Sequence, residues 1–256
     1  MSVEPKQPFM EHLDELLLRL RKSFMFLVFG FVIGYALSEY FINVLSSLVK
    51  QIPYLPASSP LPKIMSTGPF EIFWVHIRVS MVLGAFIAFP LVAWEVSKFV
   101  SPGLKDAERS RVRFLFFSIY GTFLLGIFLG YQWVLPAVLS AIVRFNHNPD
   151  ISNLWTLSTY VNNSLGVLIV TALLIQLPVI MTHLSAWGWV QAKTWGRVRR
   201  QAIVVNAVVS GILSPPDIQS MIAMMVPVHL LYEAGIIFSK IAEWMNNGGK
   251  KNDEKV

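Results

Sequence analysis

Long uninterrupted apolar runs constrain this chain more than any other feature. The stretch "KSFMFLVFGFVIGYAL" (22–37) carries no acidic residue and a single cation, at its first position. A helix needs about 20 apolar residues to cross a hydrocarbon core of about 30 Å. Six stretches qualify as candidates: Ser23–Leu45, Ile72–Val100, Arg113–Phe145, Thr159–Trp187, the short Gln201–Leu213, and Ile218–Ile241. The runs are continuous rather than alternating, which favours helices over the strands of a membrane barrel. Pro90, Pro136, Pro178 and Pro227 fall inside these stretches. Internal prolines are tolerated in lipid where neighbours satisfy the freed carbonyls, and they kink the helix. The first run lacks a short apolar region ending in a small-x-small cleavage site, so it reads as a retained span.

Composition supports lipid as the solvent. Among 256 residues, 54% are hydrophobic and only 14% charged, whereas a soluble domain has about 25% charged. The net charge of +6 is not gathered into a nucleic-acid patch, because the basic residues alternate with apolar runs. Cysteine is absent, which excludes disulfides, thiol catalysis and cysteine metal sites. Five scattered histidines show no ligand spacing, and no nucleotide loop or nucleophile–base set is present. The expectation is a binding or transport protein without a cofactor, not an enzyme.

The lysines and arginines set the orientation. Of 21, 17 fall in the N-terminal segment, the second-to-third connection, the fourth-to-fifth connection and the C-terminal tail. Lys50, Lys63 and Arg144 lie on the other side, and Arg78 falls inside a span. This asymmetry predicts six spans with both termini in the cytoplasm. Residues 1–241 form one membrane domain, and "NNGGKKNDEKV" within 242–256 reads as a disordered tail. The proline-rich loop after the first span reads as a semi-rigid cap, and "SPPD" (Ser214–Asp217) as a tight turn.

Several polar groups invite a functional reading. In "EHLDELLLRLR", His12, Glu15 and Arg19 share one helix face, and Leu13, Leu16, Leu17 and Leu20 form the apolar side. By itself this is equally an ordinary Glu15–Arg19 pair on a solvated face. Glu108, in "FVSPGLKDAERSRVRF", follows the turn at Pro102–Gly103 and is equally a helix-start acid that suits the macrodipole. Arg78, Glu95 and Glu233 fall within spans, where ionisable groups usually face protein or water. Arg78 and Glu95 lie near span ends and read as snorkelling groups, the alternative being a proton or substrate path. Gln176, just before Pro178, is suited to bond a freed carbonyl or a neighbouring helix.

Taken in order, "HLDEL", "GPFEIF", "FVSPGLKDAER", "LSPPD" and "PVHLLYE" resemble the TatC family, the signal-receptor subunit of the twin-arginine protein translocase. The resemblance spans nearly the whole chain. It implies an all-α membrane protein, with six transmembrane helices in a concave glove-shaped bundle whose helices five and six are short. It also implies a bacterial inner-membrane location. The implied function is to recognise twin-arginine signal peptides and to serve as the core of a translocase exporting folded proteins with the proton-motive force. Signal binding is thereby carried to Glu15, Glu108, His12, Arg19, Leu16, Phe99, Pro102 and Leu104. Intramembrane polar roles go to Gln176 and Glu233, and contact with the single-span partners TatA and TatB to Ser214, Asp217 and Met221. The implied complex contains several copies of the chain. Leu17, Gln176 and Met221 stand where relatives often carry arginine, glutamate and glutamine. The competing reading is a proton-coupled secondary transporter using Arg78, Glu95 and Glu233.

Overall fold

The computed structural model describes residues 9–50, 52, 61–100, 106–145, 154–213 and 218–253. The elements, in order, are α1 (Phe9–Lys50), β1 (Lys63–Met65), α2 (Glu71–Val100), α3 (Asp106–Leu129), a π-helical turn (Gly130–Val134) and α4 (Leu135–Phe145). They continue with β2 (Leu154–Thr156), α5 (Leu157–Ala186), α6 (Ala192–Arg197), α7 (Arg199–Leu213) and α8 (Ile218–Asp253). Among the described residues, five helical segments are long and apolar enough to cross a membrane: Leu13–Lys50, Glu71–Phe99, Arg109–Val143, Leu157–Ala186 and Met225–Met245.

The candidate spans recur with informative changes. α1 has 42 residues, about 63 Å at ~1.5 Å per residue, so a large part of it extends beyond the hydrocarbon. Its first turns are the "EHLDELLLRLR" stretch. α7 has 15 residues, about 22 Å, and is short as expected. The expectation that the sixth helix is also short is corrected: α8 has 36 residues. Met225–Met245 within it is an apolar span, and residues 246–253 beyond it are polar helix propagating from it, since extension costs far less than nucleation. Helical backbone therefore continues through 242–253, where composition suggested disorder.

The third span is not one uniform helix. The Leu135 N–H bonds to the Gly130 carbonyl, five residues back, which defines the π turn. Pro136 follows at once and has no N–H to offer the carbonyl four residues before it. The widened turn is the local accommodation of that missing donor.

The described residues divide into two compact units, Met1–Tyr120 with Leu129–Leu168, and Gly121–Phe128 with Ile169–Val256. In the first, α1 and α2 are antiparallel partners. Arg19 meets Glu95, Gly30 meets Gly84, and Ser38 meets His76, so numbers rise on α1 as they fall on α2. Small residues line the crossing: Gly30, Gly34 and Ser38 face Ser80, Gly84 and Ala88. A Cβ on Gly34 would stand 2.6 Å from the Ser80 carbonyl oxygen, and one on Gly84 would stand 2.7 Å from the Phe31 backbone. In lipid, where apolar surface gains little from pairing, such backbone approach is what holds helices together.

One end of this unit is densely tied. Ile42, Leu45, Val79, Leu139 and Val161 share a buried cluster. The Tyr160 hydroxyl donates to the Leu45 carbonyl at 2.6 Å. β1 and β2 pair in parallel, with Lys63 opposite Leu154 and Met65 opposite Thr156. Neither strand was anticipated, because three residues give too short a run for a period-2 pattern to declare itself. Glu71 is the junction. Its Oε2 accepts from the Thr67 N–H at 2.5 Å and the Thr67 hydroxyl at 2.9 Å, and its Oε1 accepts from the Ser158 N–H at 2.7 Å. One carboxylate thus reaches back to the loop before its own helix and across to the first turn of α5. Glu71→Ala is expected to quicken hydrogen exchange at the Thr67 and Ser158 amides severalfold while leaving the α1/α2 crossing protected. Unchanged exchange at Ser158 would remove Glu71 from this role.

In the second unit, Met181, Tyr232 and Ile236 form a buried cluster with Leu177, Trp195 and Ala202 around it. The Tyr232 hydroxyl donates to the Trp195 carbonyl at 2.6 Å, and Trp195 Nε1 donates to Ser185 Oγ at 3.0 Å. Gly235 permits the approach of α5, since a Cβ there would strike the Met181 side chain and the Pro178 backbone.

Candidate signal-recognition site

Beyond the apolar part of α1, the amphipathic "HLDELLLRLR" turns place Glu15 and Arg19 one helical turn apart. Arg19 Nε donates to Glu15 Oε1 at 2.9 Å, and Nη2 donates to the same oxygen. The pair does not stop there. Arg19 Nη1 donates to Glu95 Oε2 at 3.2 Å, and Lys98 Nζ reaches Glu95 Oε1 at 3.1 Å. The side chain of Glu95 is 6% exposed, against 19% for Arg19 and 45% for Lys98. The result is a row of alternating charge, Glu15–Arg19–Glu95–Lys98, bridging α1 and α2.

Glu95 is therefore not a snorkelling carboxylate. It turns inward, because two cations and the antiparallel register give it a better partner than the headgroup layer. Sequence reasoning placed Glu95 near a span end but gave it no link to Arg19, since 76 residues separate the two. The usable signal was local: Lys98 stands three residues on, in "WEVSK". Arg78 is exposed and donates to Ser158 Oγ at 3.4 Å, beside the Glu71 junction.

The remaining expected residues fall into place unevenly. Leu16 is exposed, on the same turns as Glu15. Phe99 ends the second apolar span and is half-buried. Glu108 stands in the first turn of α3, but its side chain, and that of His12, lie outside the described residues. Pro102, Leu104, Ser214 and Asp217 also lie outside them. Gln176 is buried within α5 and accepts from Thr122 Oγ1 of α3 at 3.1 Å. The neighbouring helix was one of its two expected partners. Glu233 accepts from Arg199 Nη2 at 2.7 Å, joining α8 to the start of α7. Met221 is half-buried on α8, its sulfur in van der Waals reach of a Cβ at Gly211 of α7. Among the described residues no group of histidine or acidic side chains is placed to hold a metal.

Residues 11–227 match the family described as Sec-independent protein translocase protein (TatC). The chain belongs to the TatC family. It is 31% identical to the TatC protein of Rickettsia prowazekii over 238 residues, which cover 92% of this chain and 93% of that one. To the TatC of Desulforapulum autotrophicum it is 30% identical over 250 residues, covering 98% and 88%. A crystal structure of the twin-arginine translocase receptor TatC has the same fold, with a TM-score of 0.69 at 24% identity, covering 90% of this chain and 99% of that one. A second, of the same receptor in DDM, gives 0.70 at 23%. TatC membership makes this a membrane-embedded component of the Tat protein-transport pathway rather than an enzyme.

Proposed function

We propose that this TatC protein is the signal-peptide receptor and core subunit of a Tat translocase in the bacterial inner membrane, spanning it six times with both termini cytoplasmic. Its partners are twin-arginine signal peptides of folded cargo, TatA- and TatB-type single-span subunits, and further copies of itself, and the proton-motive force drives export.

The observation that carries the reading is the carboxylate row at the polar end of α1 and α2. Both bonds from Arg19 to Glu15 land on Oε1. Among the described residues nothing is bonded to Oε2, which is the oxygen offered to an incoming guanidinium. Glu15 is already fixed by Arg19, and Arg19 by Glu95, so the acceptor is held in place before the ligand arrives. Glu108, in the first turn of α3, is the second acceptor of the pair. Arginine suits such acceptors because its planar fork makes two parallel charge-assisted bonds, which lysine cannot. Exposed Leu16 with Phe99 offers apolar contact beside the charges. Ser214, Asp217 and Met221 are assigned to contact TatA and TatB, with Met221 bringing thioether packing rather than a polar contact. The transporter alternative is weakened by the ion pairs: Glu95 and Glu233, which a proton path would use, are both engaged by arginine.

The test is crosslinking of a twin-arginine peptide to photoreactive side chains placed beside positions 15 and 108, in membranes containing the full chain. A charge-assisted hydrogen bond contributes about 1.5–3 kcal/mol, so Glu15→Lys or Glu108→Lys is expected to lower the yield at least about tenfold. A twin-lysine peptide should crosslink as weakly with the unaltered protein. Equal yield from the twin-lysine peptide, or from either charge reversal, would sink the assignment.

A further inference from the structure

The second unit carries an open basic groove that the recognition of signals does not use. It has a volume of about 420 Å³ and is bordered by Lys193, Gly196, Arg197, Arg199, Lys240 and Glu243, from α6, α7 and α8. Four cations thus surround one carboxylate. That carboxylate is engaged, since Glu243 Oε2 accepts the Ala192 N–H at 3.1 Å. Arg199 is engaged by Glu233 at 2.7 Å. Among the described residues Lys193, Arg197 and Lys240 form no ion pair. All three are exposed, and three cations without an ion-pair partner around one open groove favour an anion there.

The surroundings say which anion. Trp189, three residues before α6, is 73% exposed, and Trp244, next to Glu243, is 76% exposed. Exposed tryptophans flanking an apolar span mark the depth of the lipid headgroups. The apolar span of α8, Met225–Met245, ends at this level. Gly196 leaves the mouth open, for a Cβ there would meet nothing within 4 Å. A soluble phosphate would find the same cations, but the tryptophans and the end of the span place them where phosphodiester headgroups are concentrated.

We infer that the groove between α6, α7 and α8 is a binding site for the phosphodiester headgroup of an anionic membrane lipid, held by Lys193, Arg197 and Lys240. The lipid braces α6 against α8 and adds to the contact already made through Glu243. The site stands apart from the Glu15 reading and does not depend on it.

The experiment uses the full chain in nanodiscs of phosphatidylcholine doped with either cardiolipin or phosphatidylglycerol, extracted and weighed intact by native mass spectrometry. The unaltered protein should keep anionic lipid in preference to phosphatidylcholine. The triple change Lys193→Gln, Arg197→Gln, Lys240→Gln should weaken retention about a hundredfold, at roughly fivefold per surface charge. Gly196→Phe, which fills the mouth and leaves every charge, should also release the lipid. Removing the same charge elsewhere, with Lys50→Gln, Lys63→Gln and Arg111→Gln, should leave retention unchanged. Melting of each variant in pure phosphatidylcholine reports its folding apart from lipid binding, and a variant that is unfolded there is replaced by Gly196→Phe alone. Three outcomes would overturn the inference. They are equal retention of zwitterionic lipid, an equal loss in the control triple, or displacement of the lipid by millimolar glycerol phosphate or inorganic phosphate, which would mark a free-anion site.

Discussion

Gly34→Leu is expected to leave little folded protein in the membrane. A Cβ at this position would sit 2.6 Å from the Ser80 carbonyl oxygen and 2.8 Å from the Gly84 nitrogen. The obstacle is backbone on both counts, so no rotamer change relieves it. α1 and α2 must move apart along the whole crossing, and Gly30, Ser38 and Ala88 lose their close approach with them. Overpacking a core with yielding neighbours costs about 1–3 kcal/mol, and an unyielding neighbour puts this case at the upper end or beyond. The measurement is thermal unfolding in detergent together with the amount of protein recovered from membranes. Gly121→Leu and Gly166→Leu are the controls, because both positions are exposed and a Cβ at either meets nothing within 4 Å. A melting temperature for Gly34→Leu equal to that of the controls would show that the helix pair does not depend on this contact.

The second large effect is expected at the charge row. Arg19→Glu sets three carboxylates together, one of them on a side chain only 6% exposed. Breaking a buried pair by removing one partner costs about 3–5 kcal/mol. Here repulsion adds to it, although the partial exposure of Arg19 lowers the figure. Signal-peptide crosslinking near Glu15 should fall with stability, since Arg19 is what fixes that carboxylate. Adding Glu95→Arg to the same protein sets a guanidinium opposite the new acid at position 19 and should recover part of both losses. Recovery stays incomplete because the new arginine lies one turn from Lys98. The double-mutant cycle isolates the interaction. If the double variant is no better than the sum of its two single changes, Arg19 and Glu95 are not coupled.

Most of the helical framework was legible in the sequence, because lipid imposes a length and an apolarity that few other environments demand. The shortness of α7 could be read the same way. Two features were not. The length of α8 was hidden, since its polar continuation has no apolar periodicity and is held only by growth from a formed helix. The π turn before Pro136 was legible as a kink but not as a kind of kink, because a missing N–H can be accommodated in more than one way. At the candidate site, the Glu15–Arg19 pair followed from spacing within one helix. The third member, Glu95, did not, because its partner depends on the register of two helices, and that register is set by glycines remote from the charges.

The Glu71 junction bears on how the chain is made. Its Oε1 is completed by the amide of Ser158, 87 residues further along. At a synthesis rate of about 5–20 residues per second, that donor emerges about 4–17 s after the carboxylate itself. The α1/α2 crossing needs only residues already synthesised by then, so all of its partners are present before Oε1 of Glu71 can meet the Ser158 amide. Arrival of the α5 start then locks β1 against β2. Synthesis thus supplies the partners of the glycine contact before those of the carboxylate clasp. A ribosome stalled between the two would hold a half-finished protein whose first two helices have every residue their pairing needs.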